Sequence, residues 1–329
     1  MESLDTEGGK GESGGTGNQP KVSIVLLGYN RAHMLPKCIE TLKEQDYENI
    51  EIIYVDDASI DNSVDVAESY GIKKIIRLPE NKGFGPPNNK GVKIAEGDFV
   101  FFVHDDMYFE KSCVSELVKE ITNDEDIFAV DPLQYNWEGT EIHHGAIKIK
   151  KSGLKNWFPF VLVDFDVVDE KIEIPWGCAG SLMVRREMFE ELGGFDSTFF
   201  LDCEDTDLCV RAWMRGWKTV YVPSAKLYHM VSGGTRTPSD LRMLSGEKNF
   251  LRFVLKVMSK KMVVRMYLAK LVQALGLILM GKKRGVLILK AMVRTLSNFN
   301  EISEERKKIF LASKESGDEI LEKFLAKSQ

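Results

Sequence analysis

Short, almost continuous apolar runs alternate with helical patterns in the first third of the chain. The runs lie at residues 22–27, 50–55, 74–78 and 99–103. Apolar residues recur at helical spacing between the first two runs, and another short helical stretch lies between the second and the third. Strands that are apolar along their whole length are covered on both faces, as in a parallel sheet with helices on either side. The pattern therefore predicts an α/β fold.

Composition divides the chain into three regions. Residues 1–20 contain six glycines and only two large apolar residues, which predicts a disordered leader. Residues 21–245 hold the alternating pattern and predict one α/β domain, and residues 246–329 predict a helical tail. Because 43% of all residues are hydrophobic, the chain can bury a sizeable core, and a wholly disordered protein is excluded.

Polar clusters follow all four predicted strands, at residues 28–31, 56–61, 81–89 and 104–106. The carboxyl ends of parallel strands meet at one edge of the sheet, where ligands bind in open α/β folds. Two of the clusters contain adjacent aspartates, whose like charges repel unless a cation or hydrogen-bond donors lie beside them. Such paired carboxylates suit a divalent cation, Mg²⁺ or Mn²⁺, bound to a diphosphate.

The chain lacks the two glycine-rich motifs that most often mark a phosphate site. No GxGxxG follows the first predicted strand and no GxxxxGK[ST] occurs, which disfavours a dinucleotide site and a P-loop. Residues 233–236 read Gly-Gly-Thr-Arg and resemble the GGxGTR loop of sugar nucleotidyltransferases. In those enzymes the loop follows the first strand, whereas here it follows the last, so we reject that interpretation.

Seven short motifs stand in order along residues 20–230. They are Tyr29-Asn30-Arg31, Val55-Asp56-Asp57, Asn81-Lys82-Gly83, Asn89-Lys90-Gly91, His104-Asp105-Asp106, Gly193-Gly194-Phe195-Asp196 and Glu204-Asp205-Thr206-Asp207. Their order and spacing resemble the family 2 glycosyltransferases, most of all the rhamnosyltransferase-like branch, whose members also carry a basic, apolar C-terminal tail. The resemblance implies the GT-A fold, a Rossmann-like and mostly parallel sheet that binds a nucleotide-diphospho-sugar.

The resemblance also implies roles for individual residues. Asp57 would accept a hydrogen bond from the nucleotide base, Tyr29 would pack on that base, and Asp106 would be the metal-binding carboxylate of a DxD-type motif. His104 stands where the first Asp of that motif is usual. The other residues assigned to the nucleotide-sugar are Leu27, Asn30, Gly83, Asn89 and Asp105.

A second acidic site, Glu204-Asp205, opens a predicted helix. The resemblance implies that Asp205 is the catalytic base, with Glu204 as the next candidate. The alternative is that both are ordinary acidic residues of a first helical turn, where the helix dipole favours them. The resemblance also implies that His229 contacts the metal or the diphosphate, although a structural histidine is an equal alternative.

Two further pairs receive a plainer interpretation. The spacing of Asp207 and Arg211, four residues apart on a helix, predicts a surface ion pair. We assign His143 and His144 to the surface or to an acceptor pocket.

The function that the resemblance implies is that of a metal-dependent inverting glycosyltransferase in the synthesis of cell-envelope polysaccharide. A positioned base would activate an acceptor hydroxyl on a glycan or a lipid-linked acceptor, and the metal would stabilise the departing diphosphate. Two alternatives stay open, a sugar-1-phosphate nucleotidyltransferase and a non-catalytic membrane-bound scaffold. We expect no nucleic-acid partner.

The tail has an unusual distribution of charge. Residues 251–300 contain eleven lysines and arginines and no aspartate or glutamate. Basic amphipathic helices of this kind suit an anionic membrane surface. We therefore expect a cytoplasmic protein that lies peripherally on the inner face of the cell membrane, with no spanning helix. A homodimer interface and a cover for the catalytic domain are the alternatives.

The five cysteines support a reducing compartment. They include no CxxC pair, which disfavours a zinc ribbon, and a chain of 329 residues does not need a disulfide framework. We expect reduced thiols in the cytoplasm.

Overall fold

The computed structural model describes residues 19–150, 162–230 and 240–327, and the α/β architecture predicted from the sequence is confirmed there. The four predicted apolar runs coincide with the first four strands. The strands are β1 (Val22–Gly28), β2 (Ile50–Asp56), β3 (Lys74–Arg77), β4 (Phe99–His104), β5 (Met107–Phe109), β6 (Ile127–Asn136), β7 (Ile142–His144), β8 (Ala146–Lys150), β9 (Leu162–Asp166), β10 (Ile172–Glu173), β11 (Met183–Arg185) and β12 (Lys218–His229).

The described helices fall into two groups along the chain. Those of the sheet domain are α1 (Leu35–Lys43), α2 (Ser63–Ser69), α3 (Gly85–Val92), α4 (Cys113–Ile121), α5 (Arg186–Glu191) and α6 (Glu204–Arg215). Those of the tail are α7 (Asp240–Val257), α8 (Lys260–Leu279), α9 (Lys283–Ser297), α10 (Phe299–Leu311) and α11 (Gly317–Lys327).

One large sheet organises the described part of the chain. Its strands lie in the order β10-β12-β6-β11-β4-β1-β2-β3, with β5 added beside β12 and β7 beside β6. The pairs β1–β2, β1–β4, β2–β3 and β12–β6 are parallel, whereas β11 runs antiparallel to both of its neighbours. The strand order reverses between β1 and β4, which is where a crevice opens at the carboxyl ends of such strands.

Strand β1 shows why the apolar runs are continuous. Its side chains alternate between two hydrophobic clusters, with Ile24 and Leu26 in one and Val25 and Leu27 in the other. Helices α1 and α4 cover the first cluster, and helices α3 and α6 cover the second. Because both faces of the sheet are dry, apolar residues are favoured at every position of the strand.

The tail shares a core with the sheet domain. Helix α7 runs through the boundary expected between residues 245 and 246. In a third hydrophobic cluster, Val210 and Met214 of α6 pack with Phe253 and Val254 of α7 and with Phe324 of α11. The sheet domain and the tail are therefore not separate packing units, because residues on both sides of that boundary bury one another.

Buried charges reinforce this contact. We call Asp196, Asp207, Arg211, Arg252 and Lys256 the interdomain charge network. Lys256 Nζ lies 2.7 Å from Asp196 Oδ2 and 2.9 Å from Asp207 Oδ1, and Arg252 Nε donates to Asp196 Oδ2 at 2.8 Å. Burial alone would raise the pKa of Asp196, but Lys256 and Arg252 outweigh it and hold that pKa well below its usual range.

The prediction of a surface pair at Asp207 and Arg211 is wrong. Both side chains are buried, and Arg211 Nε donates to Asp207 Oδ2 at 2.8 Å. The remaining guanidinium donors reach the carbonyl oxygens of Leu192 and Gly194. Helical spacing correctly indicates the pair, but the loops and the tail that cover it come from distant parts of the chain.

Helix α8 is long and apolar enough to cross a membrane, judged by length and composition alone. In its most apolar window 28% of the residues are buried within the fold. The buried side includes Met262, Met266 and Ala274, while Val264, Leu268 and Val272 are exposed. The helix thus packs on the protein with one side and exposes an apolar face with the other.

Candidate functional site

The carboxyl ends of β1, β2 and β4 open into one cavity of about 450 Å³. Clefts of this size commonly hold small ligands. Predicted site residues that line it are Leu27, Tyr29, Asp57, Gly83, Asp106, Glu204, Asp205 and His229. The cavity therefore brings together the ends of three strands, the start of α6 and the end of β12.

Three lining residues form a cluster able to hold a metal ion. Ligand atoms of His104, Asp106 and His229 all lie within 4.8 Å of one another. His104 ends β4, and the antiparallel pairing of β5 with β12 sets His229 opposite Met107, next to Asp106. The sequence left His104 without a role, because its partner His229 arrives from a strand at the far end of the sheet domain.

The donor set of this cluster fits a divalent cation. Asp106 Oδ1 is buried and accepts no hydrogen bond within the described residues, with His229 Nε2 at 3.4 Å. Burial would raise the pKa of Asp106, but His229, His104 and Arg31 together hold it below its usual value. Burial also lowers the pKa of His104 to about 4, so this imidazole is neutral and can act as a ligand near pH 7.

Arg31 resolves the repulsion between the adjacent aspartates. Its Nη1 lies 3.0 Å from Asp105 Oδ1, and its Nη2 lies 3.2 Å from Asp106 Oδ2. Asp105 is fully buried, and its Oδ2 accepts from the backbone N–H of Tyr29 at 3.3 Å. Burial raises the pKa of Asp105 to about 7. Asp105 thus lies behind the cavity wall and braces the loop that follows β1.

Asp57 holds a second loop against the sheet. Its Oδ1 accepts from the backbone N–H of Lys82 at 2.8 Å, and its Oδ2 accepts from that of Gly83 at 3.0 Å. Gly83 has φ +79°, and a Cβ there would lie 1.9 Å from the carbonyl oxygen of Phe200, so only glycine fits. Tyr29 is 44% exposed nearby, which leaves its ring accessible from the cavity.

Two further predicted nucleotide-sugar residues lie outside the cavity lining. The Oδ1 of Asn30 accepts from the backbone N–H of Ile60 at 2.8 Å, and the residue itself has φ 55°. Asn89 both donates to the carbonyl oxygen of Phe195 and accepts from its N–H, at 2.8 and 3.0 Å. Their amides connect loops of the fold. Residues 233–236 lie outside the described residues.

The acidic pair at the start of α6 consists of a buried Glu204 and a half-buried Asp205, and it follows a strained stretch of backbone. Asp202 and Cys203, which precede the helix, both have positive φ, at 71° and 75°. Such backbone costs free energy and concentrates at functional sites. Burial, and then the charge of Asp205, raise the pKa of Glu204 to about 8, so this carboxyl is protonated near pH 7. No side chain caps this helix by a hydrogen bond.

Burial also raises the pKa of Asp205. Hydrogen bonds oppose that effect, since Asp205 Oδ1 accepts from the N–H of Thr206 at 2.7 Å and from its hydroxyl at 3.2 Å. These two hydrogen bonds stabilise the ionised form of Asp205, whereas burial and the charge of Asp205 favour the protonated form of Glu204.

Comparison with known proteins places these features in a family. The family model "Glycosyl transferase family 2" matches residues 23–193, and "Glycosyl transferase family group 2" matches residues 171–289. Glycosyltransferase GlyG of Streptococcus pneumoniae is 27% identical over 124 residues, which is 36% of this chain and 41% of GlyG. Matches to the first three relatives cover between 29% and 41% of those proteins.

Solved structures show the same fold at low sequence identity. GalNAc-T7 with UDP, GalNAc and Mn²⁺ aligns with a TM-score of 0.60 and 18% identity, over 74% of this chain and 49% of that one. Staphylococcus aureus TarS 1–349 in complex with UDP-GlcNAc aligns with a TM-score of 0.58 and 15% identity, over 93% of this chain and 89% of that one. The predicted GT-A fold is confirmed. With a family model that matches more than half of its residues, the chain belongs to glycosyl transferase family 2.

Proposed function

We propose that this protein is a glycosyltransferase that moves a sugar from a nucleotide-diphospho-sugar to an acceptor hydroxyl. One observation carries the proposal. A single cavity is lined by the Asp106 cluster, by the acidic pair at the start of α6 and by an accessible ring at Tyr29. Transfer from a nucleotide-sugar needs these three elements together. The donor needs a surface for its nucleobase and a site for its charged diphosphate, and the acceptor hydroxyl needs a general base that takes its proton.

Each step of an inverting transfer can be given to a group in the cavity. Asp205 would take the proton of the acceptor hydroxyl as its oxygen attacks the anomeric carbon. The bond between that carbon and the diphosphate oxygen breaks as the new carbon–oxygen bond forms. A divalent cation, when bound, would offset the charge that develops on the departing diphosphate. One displacement without a covalent intermediate inverts the anomeric configuration.

His104, Asp106 and His229 would hold that cation. Two imidazoles and one carboxylate suit Mn²⁺ better than Mg²⁺, because Mg²⁺ favours oxygen ligands and gives up its water reluctantly. The presence of Mn²⁺ in GalNAc-T7 supports this choice.

Replacing Asp106 by Asn should weaken Mn²⁺ binding by at least about 10–100-fold, since even losing a partner of a metal ligand costs that much. In thermal unfolding with UDP-GlcNAc or UDP-glucose, the wild type should gain stability on addition of Mn²⁺, and D106N should lose that gain. Asp65→Asn, at an exposed position on α2, is the matched control and should behave as the wild type. An unchanged response to Mn²⁺ in D106N would contradict the assignment.

The proposal for the second substrate, the acceptor, rests on the resemblance to known families. Within the family we favour the rhamnosyltransferase-like branch and a glycan or lipid-linked acceptor of the cell envelope. The O-antigen biosynthesis protein RfbC of Myxococcus xanthus, 27% identical over 233 residues and matched over 18% of its length, supports an envelope polysaccharide.

The tail would place this reaction at the cytoplasmic face of a membrane. We call the exposed apolar side chains of α8 and α9 the tail face, and define it by Val264, Leu268, Val272, Leu275, Leu279, Val286 and Val293. Of the eleven cations in residues 251–300, Arg252, Lys256 and Lys270 are buried in ion pairs. Lys260, Lys261, Lys290 and Arg294 are exposed on the same helices as the tail face. Apolar and cationic side chains together favour an anionic bilayer surface.

We expect Leu268→Glu combined with Leu275→Glu to abolish binding to vesicles that contain an anionic lipid. The wild type should sediment with vesicles of phosphatidylglycerol and phosphatidylcholine and be partly released at 1 M salt, where the Debye length shortens to about 3 Å. Leu311→Glu, at an 88% exposed position on α10, is the control and should still bind.

Failure of the wild type to sediment would contradict membrane attachment. A dimer that the double variant dissociates would instead show that the tail face joins two copies. Retention after alkaline extraction would show that α8 spans the bilayer.

A further inference from the structure

The loop that leads into α6 forms one wall of the cavity, and we call residues 198–203 the pre-α6 loop. Phe200 of this loop lines the cavity together with the candidate base Asp205. The carbonyl oxygen of Phe200 accepts from the N–H of Phe84 at 3.0 Å, directly after the loop that Asp57 holds. The pre-α6 loop therefore lies between the loop held by Asp57 and the helix that carries the candidate base.

The last two residues of the pre-α6 loop have a backbone conformation that side chains disfavour. Asp202 and Cys203 have φ 71° and 75°, in the left-handed region. In residues other than glycine this conformation costs free energy, and it persists only where the surrounding structure holds it. The first turn of α6 starts from this stretch, because the N–H of Asp207 donates to the carbonyl oxygen of Cys203 at 2.9 Å. The position of Asp205 thus depends on what holds the loop.

A buried amide of the tail holds the pre-α6 loop. Asn249 of α7 is fully buried, and its Nδ2 donates to the carbonyl oxygens of Leu201 and Asp202 at 2.9 and 3.0 Å. The reverse orientation of the amide would set Oδ1 against two acceptors, so the two donors have to face the loop. One side chain therefore fixes two successive carbonyls at the strained stretch.

Two cations of α7 also contact the loop. Lys248 Nζ donates to the carbonyl oxygen of Thr198 at 3.0 Å, and Arg242 Nη2 lies 3.2 Å from Asp202 Oδ1. Both cations are partly exposed, so water weakens these contacts, whereas the amide of Asn249 is shielded from it. Asn249 is therefore the contact of α7 that fixes the loop most firmly.

The other end of the Asn249 amide is inconsistent with a role in packing alone. Its Oδ1 is buried and accepts no hydrogen bond within the described residues. A buried acceptor without a partner costs free energy, which an apolar side chain of similar size, such as leucine, would avoid. The benefit of an amide at this position therefore lies in what its two donors hold.

We propose that Asn249 is a positioning residue for the candidate base, and that the tail sets the place of Asp205 in the cavity through the pre-α6 loop. The proposal rests on the proposed function of Asp205. Among the described residues, Asn249 is not part of the cavity lining. It therefore acts on the transfer rate through the backbone that it holds.

Replacing Asn249 by Leu removes both donors and keeps the size of the side chain. We expect turnover to fall by about 10²-fold, the cost of misplacing a reacting group by about 1 Å. The KM for the donor should change little, because Asp57 is held by the N–H groups of Lys82 and Gly83. The probe is whichever of UDP-glucose, UDP-GlcNAc and GDP-mannose the wild type turns over with Mn²⁺, and nucleotide release is measured.

A double-variant cycle shows whether Asn249 acts through Asp205. In Asp205→Asn no base remains to be misplaced, so adding Asn249→Leu should cause no further loss of turnover, measured with the enzyme in excess over the donor. If Asn249→Leu lowers the rate by the same factor in both backgrounds, the positioning role is refuted.

Hydrogen exchange tests the same link without a substrate. In Asn249→Leu the peptide that covers residues 198–207 should exchange about tenfold faster, because the buried hydrogen bonds that hold it are lost. Leu251→Ala is the matched control on the same helix, since Leu251 is fully buried in a cluster with Leu287 and Ala291 of α9. It should lose at least as much thermal stability as Asn249→Leu, yet keep wild-type turnover and wild-type exchange of residues 198–207.

The outcomes separate this inference from the proposed function. If Asp205→Asn loses turnover but Asn249→Leu keeps that of the wild type, the positioning role is refuted and the proposed function stands. Unchanged exchange of residues 198–207 refutes the role equally. If Asp205→Asn retains full turnover, the base assignment fails, and the role of Asn249 fails with it. Should Asn249→Leu not fold, Asn249→Ser takes its place under the same criteria, because one hydroxyl donor can serve only one of the two carbonyls.

Discussion

Asp205→Asn should lower the rate of sugar transfer by roughly 10²–10⁴-fold, the range that a positioned base contributes. The amide keeps the size of the side chain and still accepts from the N–H of Thr206, but it cannot take a proton. Affinity for the sugar donor should change little, because Tyr29, Asp57 and the Asp106 cluster lie on other elements. Release of the nucleotide measures turnover, and calorimetry measures donor affinity.

Glu204→Gln provides the comparison for this result. Glu204 is the direct neighbour of Asp205 in the cavity and is already protonated near pH 7. If Asp205 is the base, the transfer rate should therefore fall less in E204Q than in D205N. The reverse order would move the base to Glu204. Near-normal turnover in both variants would reduce the pair to acidic residues of a first helical turn.

Lys256→Met should destabilise the fold by about 3–5 kcal/mol, which is the usual cost of removing one partner from a buried ion pair. The ammonium of Lys256 lies between Asp196 and Asp207, and methionine would leave part of two buried negative charges uncompensated. Urea unfolding followed by circular dichroism gives the free energy of unfolding. Lys260→Met, four residues on and exposed, should change it by no more than about 0.5 kcal/mol.

The interdomain charge network also makes the stability of the fold depend on pH. Lys256 and Arg252 hold the pKa of Asp196 in the folded protein below that of an unfolded carboxyl. The contribution of ionised Asp196 to the free energy of unfolding is therefore present above the unfolded-state pKa, and it is lost as the pH falls through the folded-state pKa. Equal stability of K256M and K260M at pH 7 would show that the network contributes little.

A chain that ends at residue 245 would lack both Arg252 and Lys256, and we expect it not to fold.

The sequence predicted the parts of the site that each strand end carries by itself. Continuous apolar runs require burial on both faces, so the sheet follows from them, and the polar residues after β1, β2 and β4 then fall on one edge. These positions, combined with the family resemblance, predicted Tyr29, Asp57 and Asp106 as site residues.

What the sequence did not predict depends on contacts between distant segments. His104 gains a partner only because β5 pairs with β12 and carries His229 to Asp106. Asp207 and Arg211 are buried because α7 and the loop after α5 cover them. His144 reaches Asp131 across a strand pair that is irregular in register. No local pattern of residues encodes these approaches.

The contacts of α6 limit how this protein can be engineered. The helix begins with the candidate base and, within one turn, enters the interdomain charge network through Asp207. A chimera that exchanges tails between relatives at residue 245 would separate Asp196 and Asp207 from Arg252 and Lys256. The exchangeable unit therefore extends from the Gly-Gly-Phe-Asp motif to the end of α11, because α10 pairs with Arg252 and α11 packs on α6. The helix that carries the candidate base has to be transplanted together with the tail.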